Sequence, residues 1–535
     1  MVLYSPSASR SRSLYHQLPQ EEETSNSTTA IEMEMEHKTP TAEDAVLTDS
    51  EMSLNVEDKE VMAQIGKKQQ LARRFNLFTI FGLSMTLLSS WEAIGSAMGI
   101  SLLAGGPVAL IYGLLFVGSG TLACAASIAE MASICPISGA QYHWTFMFSP
   151  KRWRVWVTFV QGWVTVFAWQ ATITSLTFLI AAQIQGVVVL NYPDYVFERW
   201  HTTLMMWLVV IVAYAGNVWG IKLLPTMELI SGSLHIVLFI VLFIVMLVLG
   251  RNASASFVFT GFVNETGWSN DGVAWFIGLL PCIWCITGFD GAIHLSEETS
   301  KSSTTIPRVI ITTVIVNGTM AWIFVLLCLF SISDIDAVLG TATGYPLIEI
   351  MYQVSRTHAG ATAIMSFILT ISMAAMFGTL ASVSRLTWAF ARDDGLPWSG
   401  FFKHVDGHYK IPIRSIGLVS MVIVLLSLIN IGSSTALNAI LSLATIALYT
   451  SYIIPISCLI AMRLRVKEKV YDSPAGHAEI SEERLVFGPW NLGRLPLTAT
   501  TMNYAGPVFG LVLLFAAVDF LVRGRFSFVG PTRER

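Results

Sequence analysis

Charged residues are scarce in this chain. Only 13% of its 535 residues are charged, whereas 53% are hydrophobic, and the mean hydropathy is +0.61. Ordinary globular domains carry about 25% charged residues, and a soluble protein of this length would divide into several domains that each need a polar surface. The composition therefore excludes a soluble multidomain protein and predicts a chain that lies mostly in a lipid bilayer.

Signatures of catalysis and of nucleic-acid binding are also missing. The sequence contains no Gly-rich phosphate loop, no His-Glu-x-x-His pair and no nucleophile elbow, so neither an enzyme, a cofactor nor a metal is predicted. No basic face with interleaved aromatic residues is present, so no nucleic-acid partner is expected. Cys282 and Cys285 form a Cys-x-x-Cys pair without a second pair or nearby histidines, which favours apolar packing over zinc or redox chemistry.

The charge that is present is concentrated outside the apolar segments. Residues 1–65 carry thirteen acidic and four basic residues, many Ser and Thr, and no periodic apolar face. This composition is typical of a disordered tail, which we expect to be cytoplasmic and open to regulatory partners. A basic start followed by an apolar run is absent, so residues 1–65 do not resemble a secretory signal.

Long apolar runs divide the rest of the chain into candidate membrane helices. A helix needs about 20 mostly apolar residues to cross the hydrocarbon core, and continuous runs of this kind favour helices over barrel strands. Eleven such spans are predicted: 76–103, 107–133, 154–187, 202–220, 225–249, 272–296, 308–332, 361–388, 414–431, 436–462 and 504–522.

Lysine and arginine residues orient the predicted bundle. Twenty of them lie on the side of the N-terminus and three lie in the loops on the other side. The positive-inside rule therefore places the N-terminus in the cytoplasm. Two glycosylation sequons, at Asn252 and Asn264, fall in the outer loop between spans five and six.

The C-terminal part conflicts with this orientation, because the arginines after residue 522 favour the cytoplasm whereas eleven spans place them outside. One span is missing between residues 463 and 503, where the chain is polar. The predicted organisation is an acidic tail 1–65, a ten-helix transport core 66–463 with repeats 76–250 and 272–463, a polar cytoplasmic segment 464–503, a last membrane helix 504–522 and a basic tail 523–535.

Two acidic residues fall in the middle of predicted spans. Glu92 ends the sequence Ser89-Ser90-Trp91-Glu92 in span one, and Asp290 follows Phe289 in span six. Ionisable groups at this depth are costly and usually functional. They lie 198 residues apart and begin two corresponding five-span blocks, as in transporters built from inverted repeats with interrupted helices. The alternative is that each acid only bonds polar groups of neighbouring helices.

A second pair of ionisable residues lies in span five. Glu228 and His235 are seven residues apart and therefore share a helix face. One interpretation is a proton relay, with H+ as the coupling ion. The other is an interfacial acid and a histidine that is bonded within the bundle.

Several stretches resemble a known family. Residues 105–107, 129–144, 288–307, 384–397 and 502–505 are similar to motifs of the fungal amino acid/choline permeases, which include GABA permeases. These belong to the amino acid–polyamine–organocation superfamily. The resemblance covers residues 65–530.

The resemblance implies an all-α polytopic membrane protein with the leucine-transporter-type fold, in which two inverted five-helix repeats are followed by two peripheral helices. It also implies that the substrate carboxylate meets backbone N–H groups at the break of span one, and that an aromatic gate precedes the acid of span six. The substrate-binding residues implied here are Ser89, Ser90, Trp91, Glu92, Trp284, Ile286, Thr287, Gly288, Phe289 and Asp290.

The sequence departs from the family in three places. The usual glycine-rich first break is Ser-Ser-Trp-Glu, and Glu92 would suit a cationic substrate such as choline. The fifth-span lysine of some proton-coupled relatives is absent, which leaves the coupling ion open. The family's eleventh span of twelve is missing, so the sequence represents a splice or gene-model variant or has a re-entrant last helix.

The sequence therefore predicts a secondary active permease that moves a small nitrogenous solute, such as an amino acid, GABA or choline, by alternating access. Transport of a secondary metabolite or its amino-acid precursor and a nutrient receptor without net flux are the alternatives. The plasma membrane is the predicted location, with the vacuole or another endomembrane as the alternative.

Overall fold

The computed structural model describes residues 62, 67–192, 194–250, 253–465 and 488–491. Ten helical stretches in this part are long and apolar enough to cross a membrane, which confirms the first ten predicted spans. The acidic tail apart from Met62, the predicted last helix 504–522 and the basic tail lie outside the described residues, as does most of the polar segment. The spans, numbered 1 to 10 in chain order, are Leu77–Leu103, Gly106–Ile134, Arg154–Asn191, Arg199–Val218, Leu224–Leu249, Asp271–Glu298, Ser302–Ser331, His358–Arg392, Ile413–Gly432 and Leu443–Arg463.

The described part of the chain is all-α. Backbone N–H and C=O groups find no partners in hydrocarbon, so an uninterrupted helix is the structure that satisfies them within one segment. Only two isolated β-bridges occur among the described residues. Shorter helices join the spans, with bounds Gln141–Phe148, Ala255–Thr260, Ile335–Leu339, Pro346–Ser355 and Ser399–Phe402, and span 10 belongs to the longer helix Ser434–Arg465.

Spans 1 and 6 are interrupted, and a glycine accounts for the backbone conformation at the second break. Span 1 consists of helices Leu77–Leu88 and Ser90–Leu103, joined at Ser89 with φ 36° and ψ 45°. Span 6 consists of helix Asp271–Trp284, a turn, and a 3₁₀ helix Phe289–Glu298. Gly288 before this 3₁₀ helix has φ 100°, a conformation that glycine adopts without steric cost. At both breaks, backbone N–H and C=O groups lie outside the regular hydrogen-bond pattern of a helix.

The two blocks of five spans form an inverted repeat. Because five is odd, span 6 begins on the side opposite to span 1. Span 2 packs against span 7, span 3 against span 8 and span 4 against span 9, and the halves of span 1 contact those of span 6. Contacts between equivalent helices are what a pseudo-twofold axis in the membrane plane produces, and the predicted all-α polytopic fold is confirmed.

A close crossing of spans 1 and 5 positions the first break. A Cβ added at Gly82 would lie 2.6 Å from the carbonyl oxygen of Glu228, and one added at Gly232 would lie 2.7 Å from the Cα of Gly82. Small residues allow helix backbones to approach this closely in membranes. Span 5 therefore runs along the break of span 1, with Glu228 and His235 on either side of the crossing.

Candidate functional site

The break of span 1 is held by a side chain from span 7. The backbone N–H of Ser90 donates to Oδ1 of Asn317 at 3.2 Å, and Nδ2 of Asn317 lies 3.5 Å from the carbonyl oxygen of Met85. The Ser89 hydroxyl at the break donates to the carbonyl of Thr86 in the first half of span 1. One buried amide thus bridges both sides of the break, and the N–H of Ser90, implied as a carboxylate ligand, already has a partner in this conformation.

Trp91 and Glu92 face spans 5 and 7. The Trp91 ring is fully buried, with its centroid 5.0 Å from that of Phe324 and 6.1 Å from that of Phe239. Oε1 of Glu92 lies 2.7 Å from Nδ1 of His235, and Oε2 is buried without a hydrogen-bond partner. In this conformation both side chains are engaged with neighbouring spans.

Glu228 and His235 lie on one face of span 5 but contact different halves of span 1. Oε2 of Glu228 accepts a hydrogen bond from the Thr86 hydroxyl at 2.8 Å, before the break. Its Oε1 lies against Gly378 of span 8, where an added Cβ would be 2.9 Å away. His235 meets Glu92 after the break. The structure therefore pairs His235 with Glu92 and places Glu228 where spans 1, 5 and 8 meet.

Asp290 is the centre of a buried polar network. Oδ1 accepts from the Tyr452 hydroxyl at 2.5 Å, and Oδ2 accepts from Nε2 of Gln141 at 2.5 Å and from Nε1 of Trp169 at 3.1 Å. Nε2 of His294 lies 3.4 Å from Oδ2. All of these residues are buried. The carboxylate connects span 6 to span 3, span 10 and the segment between spans 2 and 3.

The other predicted residues of span 6 form the turn itself. Trp284 is half-buried and Ile286 is buried. The Thr287 hydroxyl donates back to the carbonyl of Ile283 at 2.5 Å. A Cβ added at Gly288 would lie 3.4 Å from the Trp169 ring. Phe289 packs against Tyr452, with 4.9 Å between ring centroids.

The basic end of the bundle, which we call the inner side, is closed by ion pairs. Arg392 of span 8 donates to both oxygens of Glu297 at 2.8 and 2.9 Å. Arg385 donates to Glu298 at 2.6 Å, and both side chains are fully buried. The N–H of Phe75, before span 1, donates to the carbonyl of Glu298 at 2.9 Å. The inner ends of spans 1, 6 and 8 are therefore fastened together.

A second inner cluster surrounds Asp393, directly after span 8. Its carboxylate accepts from the Tyr142 hydroxyl at 2.8 Å, lies 3.2 Å from Nε2 of His143 and pairs with Lys67. Burial raises the pKa of Asp393, but His143 and Lys67 outweigh burial and hold that pKa well below its usual range. Burial lowers the pKa of His143, as do the positive charges of Arg392 and Lys67, while Asp393 opposes this shift.

The remaining sequence candidates lie apart from the breaks. Asn264 is half-buried in the outer loop, and its Nδ2 donates to the carbonyl of Trp268 at 2.9 Å. Asn252 lies outside the described residues. Cys282 and Cys285 are buried free thiols. No group of three or more potential metal-ligating side chains occurs within the part that the structure describes.

Sequence reasoning missed five residues of this site. Four come from other spans or loops and His294 lies on the helix of Asp290 itself, and none carries a mark of the role that folding gives it: Gln141, Trp169, His294, Asn317 and Tyr452. Asn317 was the most accessible to prediction, because an amide in the middle of an apolar span needs a partner.

The sequence matches a known family and several characterised relatives. A family model described as amino acid permease matches residues 75–527. A choline transporter of Saccharomyces cerevisiae is 31% identical over 400 residues, which cover 74% of this chain and 70% of that protein. A GABA-specific permease of the same yeast is 30% identical over 401 residues, covering 73% and 69%. The amino-acid permease BAT1 of Arabidopsis thaliana is 28% identical over 516 residues, covering 88% and 95%. The family match includes all ten spans and both breaks.

Proposed function

Because this chain belongs to the amino acid permease family, we propose that it moves an amino acid, GABA or choline across a membrane by proton-coupled alternating access. Membership makes it a multi-pass transporter and not an enzyme. The observation that carries the proposal is the pair of interrupted helices at equivalent positions of two inverted blocks. Such breaks expose backbone groups near the bilayer midplane, where transporters of this design bind their substrates.

The substrate would lie between the two breaks. Ser89 and Trp284 border this region without engaging another span through a hydrogen bond in the described structure, and the Thr287 hydroxyl bonds back to its own span. Glu92 and Asp290, by contrast, are bonded to neighbouring spans. We therefore assign substrate contact to the backbone and side chains of the breaks, and we assign to the two acids the task of holding the surrounding spans in register.

Proton coupling is supported by the number of ionisable groups buried at membrane depth. Glu92, Glu228 and Asp290 are each at most 2% exposed. A carboxylate in this environment is costly unless it is paired or protonated. Acids that change partners as the spans move can therefore exchange protons with the two sides in turn.

The protein would act at the plasma membrane, with regulation through its acidic tail. That tail, residues 1–65, contains many Ser and Thr residues. Phosphate groups added to it would increase its negative charge and change what it binds.

Uptake by a host that lacks its own permeases tests the proposal. Radiolabelled choline, GABA, proline, lysine and putrescine are supplied with and without a protonophore, to cells that express the wild type or Trp284→Ala at equal surface levels. We expect saturable, protonophore-sensitive uptake of one compound, and at least a tenfold loss in Trp284→Ala. Binding without uptake by surface-expressed protein would instead indicate a receptor.

A further inference from the structure

The position of His294 requires an unusual protonation state. This histidine is fully buried one turn after Asp290, and its Nδ1 lies 2.8 Å from the carbonyl oxygen of Ser138. A carbonyl oxygen only accepts hydrogen bonds, so Nδ1 carries a proton. The other ring nitrogen, Nε2, has no hydrogen-bond partner and lies 3.4 Å from Oδ2 of Asp290.

The other partners of Asp290 favour its charged form. The indole of Trp169 is only a donor, and Gln141 and Tyr452 place an amide N–H and a hydroxyl against the same carboxylate. A neutral His294 with its proton on Nδ1 would direct the lone pair of Nε2 at Oδ2, and the contact would be repulsive. With a second proton between Nε2 and Oδ2, the contact becomes an ion pair.

The other buried histidine in the spans does not need this extra proton. Nδ1 of His235 lies 2.7 Å from Oε1 of Glu92, so one proton on Nδ1 satisfies the contact. Its Nε2 is buried beside the Trp91 ring, whose centroid is 5.8 Å from that of the imidazole. A neutral His235 therefore fits its surroundings.

The remaining charges around the pair are neutralised among themselves. Further along the same 3₁₀ helix, Glu297 pairs with Arg392 and Glu298 pairs with Arg385 of span 8. Span 10 contributes Tyr452 and its neighbour Tyr449. The segment between spans 2 and 3 contributes Cys135, Tyr142 and His143, of which the last two contact Asp393. Span 2 contributes Glu130, which pairs with Arg463. The first half of span 1 contains no ionisable residue, span 3 only Arg154 at its inner end, and span 7 only Arg308 and Cys328.

We propose that His294 and Asp290 together carry the coupling proton, an inference that rests on the proton-coupled transport proposed above. When the inner side opens, the Nε2–H bond breaks, its electron pair stays on Nε2, and the proton passes to water. Nε2 and Oδ2 then repel each other. Because Asp290 links span 6 to spans 3 and 10, this repulsion loosens the contacts that hold the closed arrangement, and reprotonation restores them.

Two transport assays on the reconstituted full-length protein distinguish proton coupling from solute movement. Proteoliposomes report solute exchange, which moves no net proton, and accumulation driven by an imposed pH gradient. The variant His294→Asn keeps a donor where Nδ1–H meets Ser138 but has no group in place of Nε2. We expect the ratio of gradient-driven accumulation to exchange to fall at least about tenfold, and the dependence of this ratio on pH between 5 and 8 to flatten. The matched variant His201→Asn, at the outer end of span 4, should keep the wild-type ratio.

Three results would contradict the inference. Wild-type coupling in His294→Asn would overturn it, as would loss of coupling in His235→Asn alone. Wild-type protein that exchanges solute but never accumulates it under a pH gradient would contradict proton coupling in the proposed function itself.

A spectroscopic measurement covers the case in which His294→Asn neither exchanges nor accumulates solute. The Trp169 ring meets that of His294 edge-on with 5.6 Å between centroids, and a protonated imidazole quenches indole fluorescence. The difference in emission between wild type and Trp169→Phe should increase as pH rises from 5 to 8. A difference that does not change with pH would overturn the inference.

Discussion

Polar side chains inside the spans depend on partners that lie far away in the sequence. Asn317 is 227 residues from Ser90, and it bonds the backbone N–H that the break of span 1 leaves free. A buried donor without a partner costs about 1–3 kcal/mol. At this scale the stability of the break depends on one amide, and its removal should be measurable.

Replacing Asn317 with alanine should destabilise the protein by about 1–3 kcal/mol and reduce uptake, because the N–H of Ser90 loses its partner. Thermal unfolding of the purified variant in detergent measures the first effect, and uptake at equal surface expression measures the second. Thr319→Ala is the matched control, since Thr319 is exposed on the same span and bonds only the carbonyl of Ile315 in its own helix. Equal losses in both variants would contradict the bridging role.

His143 predicts a pH dependence of stability. Burial lowers its pKa in the folded protein, whereas an unfolded histidine titrates near pH 6.5. Below about pH 6.5 the unfolded chain therefore binds a proton that the folded protein does not, so stability falls as the pH decreases toward the folded pKa. The unfolding midpoint of His143→Gln should decrease less than that of wild type between pH 7.5 and 5. Identical slopes would contradict the prediction, because they would show that folding leaves the pKa of His143 unchanged.

At the scale of the element, the crossing of spans 1 and 5 depends on glycines, which have no side chain to hold the two helices apart. Gly82 and Gly232 bring the two backbones into contact, and this contact fixes where Glu228 and His235 meet the two halves of span 1. A larger residue would separate the spans and move both ionisable groups away from their partners.

The variant Gly232→Val should lose most of its uptake while Gly120→Val keeps it. A Cβ at Gly232 would overlap the backbone of Gly82, whereas a Cβ at Gly120, in span 2, would have no atom within 4 Å. Uptake rates divided by surface expression make the comparison. Similar rates in the two variants would show that the crossing tolerates separation.

Apolar run length and charge bias were sufficient to predict the ten spans and the block structure, since both properties are local and additive along the chain. The pairing of acids was not predictable in the same way. Glu228 and His235 share a helix face, yet the rotation of span 5 against span 1 directs His235 to Glu92. Likewise, nothing near Asp290 in the sequence indicates Trp169 or Tyr452, because helix packing alone brings spans 3 and 10 to it.

At the scale of the whole molecule, the described conformation is closed on the inner side. The ion pairs of Glu297 and Glu298 with span 8 are largely or fully buried, and separating buried partners is costly. Opening must hydrate these groups, so the inner closure forms an energetic barrier to transport.

The rate at which the Cys135 thiol reacts with a maleimide can measure the opening of the inner side. Cys135 lies in the loop after span 2, where burial and then the charge of Glu297 raise the pKa of its thiol to about 12, so it should react slowly with maleimides in wild type. In Arg392→Gln the pairing with Glu297 weakens while the Glu297 charge that raises the thiol pKa remains, and we expect labelling in inside-out vesicles to accelerate at least about fivefold. Cys135→Ser in the same background gives the rate contributed by other cysteines. Unchanged labelling would show that the inner side stays closed without this pair.

The inverted repeat also has a consequence for the balance between the inward-facing and outward-facing states. If the two blocks were identical, exchanging their conformations would convert the inward-facing state into the outward-facing state, and the two would be equal in free energy. The blocks differ: the first pairs Glu92 with a histidine of another span, while the second pairs Asp290 with a histidine of the same helix and adds the arginine–glutamate pairs. Sequence divergence between the halves therefore makes the inward-facing and outward-facing states unequal in free energy.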